Sequence, residues 1–438
     1  MEIKKVVELL QALETRDPKA DVILDLEKQE FINRDKELCL IPSVGFPPEN
    51  VLEAQGSIMA VQYAEGRKHA RYYAGCKTID EMVETCENMA LQLFNAQDEY
   101  NACVEFHSGT SANMAIYGAL LNQGDTVLSM YTDMGGHISH GHPLSFLGKY
   151  HNVVQYGLTD DGYIDYQQVE DLAIKHKPKL IICGCSAYSR IVDFKRFKEI
   201  ADKVGAKLMA DIAHITSLVI TGEHPSPVGL ADVISFTTHK MLNSARGGVV
   251  LYKKELEKAI TRGLIPFSSG GPLENMVYAK LVGFNNIIAN YDKFVQYTKQ
   301  VKLNAKVMEE EFRRRDIPMV SKGTDNHLLL LDLSKFYRSG REYATLLEDS
   351  GVICNCNAIP NDPKGFFKTS GIRLGTPNIT ARGFNEEDTR MLTQDIAEVI
   401  LYPVLYKELE QRVKYLTNKY PLKNIYPHKY KRLFEDEV

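Results

Sequence analysis

The run 235-SFTTHKMLNSARGG-248 places Lys240 just past a short apolar stretch, 230-LADVISF-236, with Arg246 and a glycine pair before a second one, 249-VVLY-252. A lysine carried into a partly dry pocket has its pKa lowered, because burial disfavours the charged form. The neutral amine is then a nucleophile toward carbonyls and forms a Schiff base. Lysines at large are far more often solvated surface residues, so the neighbourhood must decide. Two other stretches bear on it. In 107-HSGTSAN-113 a Ser-Gly-Thr-Ser turn opens a helical pattern. Free backbone N–H groups, hydroxyls and the positive end of the helix dipole bind an anion there, most naturally a phosphate. Simple N-capping by Ser108 or Thr110 accounts for the same residues. In 211-DIAH-214, Asp211 ends an apolar run with His214 three residues on. A carboxylate at the floor of a pocket holds a ring nitrogen protonated; the plainer alternative is an N-cap aspartate.

The elements that position these residues follow from the pattern of apolar runs. Seven of them read as strands: 102–106, 126–130, 152–156, 179–184, 207–211, 232–236 and 248–252. Helix-period segments at 110–123, 165–177 and 194–205 lie between several of them. Such alternation predicts a mostly parallel sheet covered on both faces. In open α/β sheets ligands sit at the carboxyl ends of strands. The turns after 106, 130, 184, 211 and 236 are all polar, so one shared site on one rim is expected. A long helical region at about 273–315, the run 326-NHLLLLDL-333, a helix near 340–350, the strand-like 370-SGIRLG-375 and a helix at 385–401 predict a smaller α+β domain. The expected division is an N-terminal helical arm over 1–60, a large α/β domain over 61–285, and a small C-terminal domain with tail over 286–438. The tail from 402 reads as helix plus extended wrap.

Composition excludes other classes. A chain of 438 residues with 44% hydrophobic and 25% charged residues fits a globular protein with a sizeable core. A net charge of -5 and no basic run longer than 428-HKYKR-432 speak against a nucleic-acid binder. No apolar stretch reaches membrane-spanning length. The start, 1-MEIKKVVELLQALETRDP-18, is too charged for a signal peptide and predicts an amphipathic helix with Val6, Leu9, Leu10 and Leu13 on one side. Eight cysteines in so long a chain form no disulfide framework, which places the protein in a reducing cytoplasm. The pairs Cys183/Cys185 and Cys354/Cys356 lack accompanying ligand spacing, so no metal is expected.

An amine, an anion cradle and an acid at three points are what pyridoxal 5'-phosphate requires: it is an aldehyde with a phosphate and a pyridine nitrogen. At this point the chain resembles the serine hydroxymethyltransferase family of fold-type-I pyridoxal phosphate enzymes. The matching stretches are 63-YAEG-66, 71-RYYAG-75, 107-HSGTSAN-113, 135-GGHISHG-141, 186-SAYS-189, 211-DIAH-214, 237-TTHK-240, 323-GTDNHL-328 and 361-NDPKGFFKTSGIRLGTP-377. They run collinearly over most of the chain. The resemblance implies that Lys240 bonds the cofactor aldehyde, Asp211 pairs with the ring nitrogen and His137 stacks on the ring. Ser186 and His214 would lie near the ring hydroxyl, and Thr237 and His239 would support the lysine. Ser108, Gly109 and Thr110 would hold the phosphate, with Tyr63, Gly270 and Gly271 reaching in from a second subunit. Arg373 would clamp the substrate carboxylate, Glu65 would shuttle a proton at the substrate hydroxyl, and Arg246 would order its loop. Ser43, Tyr72, Tyr73 and Asn357 would line the substrate and folate side.

The implied reaction moves a one-carbon unit between serine and glycine with tetrahydrofolate as carrier, in a homodimer or dimer of dimers with shared sites. The chain departs from the family pattern at 42-PSVG-45, 67-RKHAR-71, 267-FSSGGP-272, Thr132 and Cys356, around the carrier and the mouth. Those departures leave room for a folate-independent aldolase or transaldolase acting on β-hydroxy amino acids. A non-catalytic descendant is a third class, but such proteins often lose the lysine or its aspartate partner, and this chain keeps both.

Overall fold

A computed structural model describes Lys4, Lys5, Glu8 and residues 18–435. The amphipathic face expected from Val6, Leu9, Leu10 and Leu13 lies outside the described residues. Strands of three or more residues are numbered in chain order. The large sheet holds β1 (Tyr100–Phe106), β2 (Thr126–Met130), β3 (Asn152–Tyr156), β4 (Leu180–Cys183), β5 (Lys207–Asp211), β6 (Val233–Thr237) and β7 (Gly248–Lys253). The spatial order is β1-β7-β6-β5-β4-β2-β3. The pairs from β6 through β3 are parallel, and β7 runs antiparallel to both β6 and β1. This is the expected mostly parallel, seven-stranded α/β sheet. The strands alternate little because both faces are covered. Leu208, Ala210, Ile234, Phe236, Val249 and Leu251 face one apolar core, and Met209, Val233, Val250 and Tyr252 face the other.

Helices of eight or more residues are α1 (Pro18–Lys36), α2 (Lys77–Phe94), α3 (Gly109–Leu120), α4 (Tyr166–His176), α5 (Phe194–Val204), α6 (Glu274–Ala289), α7 (Tyr291–Arg314), α8 (Gly340–Asp349), α9 (Glu386–Leu401), α10 (Tyr406–Lys419) and α11 (Pro427–Phe434). The region expected as one long helix is broken at Asn290, whose φ of -128° and ψ of 37° lie outside the helical well. A second sheet, β8 (Leu328–Asp332), β9 (Asn355–Asn357) and β10 (Gly371–Gly375), is antiparallel in the order β8-β10-β9. The short β9 was not anticipated: the three residues of 355-NCN-357 give no apolar alternation to read. Leu329, Leu331, Ile372 and Leu374 join Phe312, Leu347 and Ile396 in a separate core. Leu38 and Leu40 enter that core too, because Leu38–Cys39 pairs in parallel with Val352–Ile353. The tail is mostly helical rather than half extended: α10 and α11 pack back on α1. Among the described residues no helix is long and apolar enough to cross a membrane.

Candidate active site

The carboxyl ends of β1, β2, β4, β5 and β6 meet on one rim. They enclose a cavity of about 190 Å³ lined by Ser108, Gly109, Thr110, His137, Asp211 and Lys240, among others. A wider space of about 460 Å³ adjoins it, lined by Ser43, Thr132, Asn357 and Arg373. The two share His137, Ser186, His214 and Lys240. One compartment therefore runs from the start of α3 to β10 of the small sheet, with Lys240 at the junction.

Lys240 is half-buried. Burial draws its pKa down to about 8; Asp211 resists that shift and Arg373 adds to it. Asp211 Oδ2 accepts hydrogen bonds of 2.9 Å from both Asn113 Nδ2 and His140 Nε2, and Oδ1 accepts one of 3.0 Å from the Ala213 N–H. Burial alone would raise the pKa of this carboxyl. The His140 contact, with smaller contributions from His137 and Asn113, outweighs it and holds Asp211 well below the usual carboxylate range. It is thus an anion within the wall of a polar cavity, not an N-cap: the short helix after it, Thr216–Ile220, has no side-chain cap.

His137 is half-buried, and its Nδ1 accepts from the Ser139 N–H at 3.2 Å, with Ser139 Oγ at 2.7 Å. Burial brings its pKa to about 4, so the ring is neutral and free to lie against another ring. His214 is buried in stacked contact with His327, with centroids 5.8 Å apart and planes inclined by 22°. Burial lowers both, His327 to about 3. Arg373 donates to Asn355 Oδ1 at 3.1 Å and to the Ser186 carbonyl, leaving part of its fork toward the wider cavity. His239 accepts from the Gly247 N–H at 3.4 Å and burial brings its pKa to about 4. Arg246 lines the smaller cavity and is exposed.

The cradle at α3 is built locally. Ser108 caps the helix, accepting from the Ser111 N–H at 3.1 Å while Ser111 Oγ accepts from the Ser108 N–H at 2.9 Å. The two readings of this turn are therefore compatible: Ser108 caps, and the first helical N–H groups remain for a ligand. Gly109 is required by space, since a Cβ there would stand 2.7 Å from Thr237 Cγ2. Thr237 Oγ1 and His214 Nδ1 are buried without a protein partner. Buried polar atoms are rarely left so, and both residues line the cavity, which fits a polar ligand there. The residues fit a phosphorylated aromatic aldehyde: amine, anion cradle, acid partner, flat neutral ring.

A second group of residues lines neither of these cavities but adjoins the smaller one through His107. Tyr63 and Tyr73 meet edge to face at 5.2 Å, and Tyr73 Oη donates to Glu65 Oε2 at 3.5 Å. A Cβ on Gly271 would lie 3.6 Å from the Tyr63 ring and one on Gly270 3.9 Å from Glu65 Oε1. His107 Nε2 lies 3.0 Å from the Gly271 carbonyl. Tyr63 and Tyr73 are 57% and 47% exposed, and Tyr72 more so, at the surface.

Asn113, His140 and His327 were given no role from sequence. Asn113 lies four residues after Gly109, one turn along the same helix face, and that spacing was a usable signal. Nothing in the spacing of His140 or His327 pointed to the site. Among the described residues one trio of ligand-type side chains converges, Glu87, Cys103 and Glu105, and the Arg67 guanidinium donates to all three.

A lysine in a desolvated pocket at a strand end, an aspartate held ionised and an anion-binding helix start, all on one rim of a seven-stranded α/β sheet, define a fold-type-I pyridoxal phosphate enzyme. The serine hydroxymethyltransferase family model matches residues 13–396. The chain is 45% identical over 412 residues to the serine hydroxymethyltransferase of Coprothermobacter proteolyticus, spanning 93% of this chain and 97% of that one. It is 45% identical over 411 residues to that of Lactobacillus johnsonii, with 92% and 99% covered. The chain belongs to the serine hydroxymethyltransferase family. Membership implies pyridoxal phosphate as cofactor and amino acids as substrates.

Proposed function

We propose that this chain interconverts serine and glycine, exchanging the hydroxymethyl carbon with tetrahydrofolate. The observation that carries the reading is Lys240: an amine brought to about 8 by burial, in one cavity with an ionised Asp211 and continuous with Arg373. Pyridoxal phosphate, when bound, supplies an aldehyde and a ring that withdraws negative charge from the carbon beside the substrate amine. Lys240 would hold it at the aldehyde. Ser108, Gly109 and Thr110 would hold its phosphate, and Asp211 would keep the ring nitrogen protonated. His137 would lie against the ring, Ser186 and His214 would serve its hydroxyl, and Thr237 and His239 would brace the lysine.

Arg373 receives the substrate carboxylate as a two-pronged donor. Glu65 holds or moves the proton on the substrate hydroxyl. Tyr72, Tyr73 and Asn357 line the folate side, and Ser43 the substrate. Tyr63, Glu65, Tyr73, Gly270 and Gly271 form a cluster that lines neither cavity at Lys240. This supports a homodimer, or a dimer of dimers, in which each cluster completes the neighbour's site. The domain division at about 60 and 285 and a cytoplasmic setting belong to the same reading; eight unpaired cysteines support the latter.

Thr132 and Cys356, where the chain departs from the family pattern, line the wider cavity. That observation favours testing the folate-independent aldolase reading beside the first. Purified holoenzyme is mixed with glycine, with and without tetrahydrofolate, and its visible spectrum recorded. A strong long-wavelength band that needs folate is expected. A folate-indifferent spectrum with retro-aldol cleavage of threonine-like substrates favours the aldolase. Lys240→Ala abolishes turnover while the assembly persists; turnover retained in that variant refutes the assignment of the amine.

A further inference from the structure

Lys280 on α6 is 1% exposed. Its Nζ donates to three backbone carbonyls: Val104 at 2.6 Å, Phe106 at 3.0 Å and Gly248 at 3.3 Å. Three acceptors around one nitrogen call for three N–H donors, which only the ammonium has. Burial draws its pKa down to about 8, so the group still carries its charge at neutral pH.

The reason these carbonyls need a donor lies in the strand pairing. Gly248 pairs with Phe106 but Val250 pairs with Cys103. Three steps along β1 thus match two along β7, and the extra residue makes a bulge at Val104–Glu105. A bulge takes carbonyls out of the ladder, and a buried carbonyl left without a donor is destabilising. Space for the lysine comes from Gly247, where a Cβ would stand 2.2 Å from Lys280 Cε. On the far side the Ser108 carbonyl rests on Gly248, where a Cβ would stand 2.3 Å from it. The carbonyls that Lys280 grips therefore belong to residues just before the Ser108–Thr110 turn and just after Arg246. Bulges beside active sites re-aim the neighbouring side chains and bend the strand that carries them.

We propose that Lys280 is a positioning residue for the cofactor's phosphate: its ammonium closes the β1–β7 bulge, sets the aim of the Ser108–Thr110 turn and adds a fixed positive charge behind that cradle. This rests on the reading of the turn as the phosphate site. The test titrates apoenzyme with pyridoxal phosphate and, separately, with pyridoxal, which lacks the phosphate, in wild type and Lys280→Met. Melting temperature is measured alongside. The variant should lose about tenfold or more in affinity for pyridoxal phosphate while pyridoxal binding changes less than about twofold. Parallel loss for both ligands would make Lys280 merely structural and overturn the proposal, as would no loss at all. A wild type that binds the two ligands equally refutes the phosphate reading itself, and the proposal with it. Should Lys280→Met fail to fold, Lys280→Gln keeps an amide donor without the charge and is judged by the same ratio.

Discussion

At the scale of single residues, the site depends on moving charge states away from their values in water. Lys240 moves in the direction that burial alone gives, whereas Asp211 moves against it. Burial lowers the lysine, while hydrogen bonds from Asn113 and His140 overcome the effect of burial on the aspartate. The sign of the lysine shift gives a pH prediction. On the role proposed for Lys240 the reactive form is the neutral amine, so a lowered pKa makes more of it available near neutrality. The rate at which apoenzyme captures pyridoxal phosphate should rise with pH and level off above about 8. A stopped-flow series in which the rate is still climbing toward the ordinary lysine value, near 10.4, would show that the amine is solvated.

At the scale of elements, the lysine loop is braced from outside the sheet. Gly45 sits where a Cβ would stand 2.4 Å from the Lys240 carbonyl and 2.2 Å from Asn243 Oδ1. The Phe46 N–H donates to that same Asn243 Oδ1 at 2.9 Å. Val44 and Gly45, which depart from the family pattern, thus belong to a segment pressed on the 240–243 turn. The tail reinforces it. Tyr426 Oη donates to the Pro47 carbonyl at 3.0 Å, and its ring meets Phe46 edge to face at 6.0 Å. Glu49 accepts from His428 Nδ1 and from the Lys429 N–H. The residues after 396, beyond the family match, include this clasp. Tyr426→Ala removes a buried ring and its hydrogen bond, and should cost roughly 3 kcal/mol in urea unfolding. A loss under about 1 kcal/mol would mean the tail is an ornament on an already rigid segment.

At the scale of the whole molecule, the Tyr63–Glu65–Tyr73 cluster lines neither of the two Lys240 cavities, and on the proposed reading it completes the site of a second copy. The Tyr63–Glu65–Tyr73 cluster rides on a hairpin, Gly66–Arg67 against Ala70–Arg71. Arg67 and Arg71 pin that hairpin to Glu105 of β1, and Arg71 also reaches Asp80 of α2 at 2.8 Å. Those ions are deeply buried, so the hairpin is held rigidly while its tyrosines stay exposed. The proposed assembly makes complementation the decisive measurement. Lys240→Ala and Glu65→Gln are each expected to be inactive alone. Mixed and allowed to exchange, half the dimers are hybrids with one intact site, giving about a quarter of wild-type activity. No recovery after verified exchange would place Glu65 in the same chain's site.

The residue sequence by itself determined the α/β class and the strand ends, and it singled out the amine, turn and acid that the proposed function uses. These follow from short-range pattern: apolar runs for strands of a covered sheet, glycine and hydroxyl residues at a helix start, a lysine just past a strand. It also carried the family resemblance, spread over collinear motifs. Only the tertiary structure decided which polar residues tune that chemistry. His140 and His327 reach the site through contacts that no local spacing encodes, and the bulge that needs Lys280 exists only once β1 and β7 pair. The short β9 and the tail's return to Phe46 were illegible for the same reason. Each is set by partners far along the chain, and long-range packing overrides local propensity wherever the two compete.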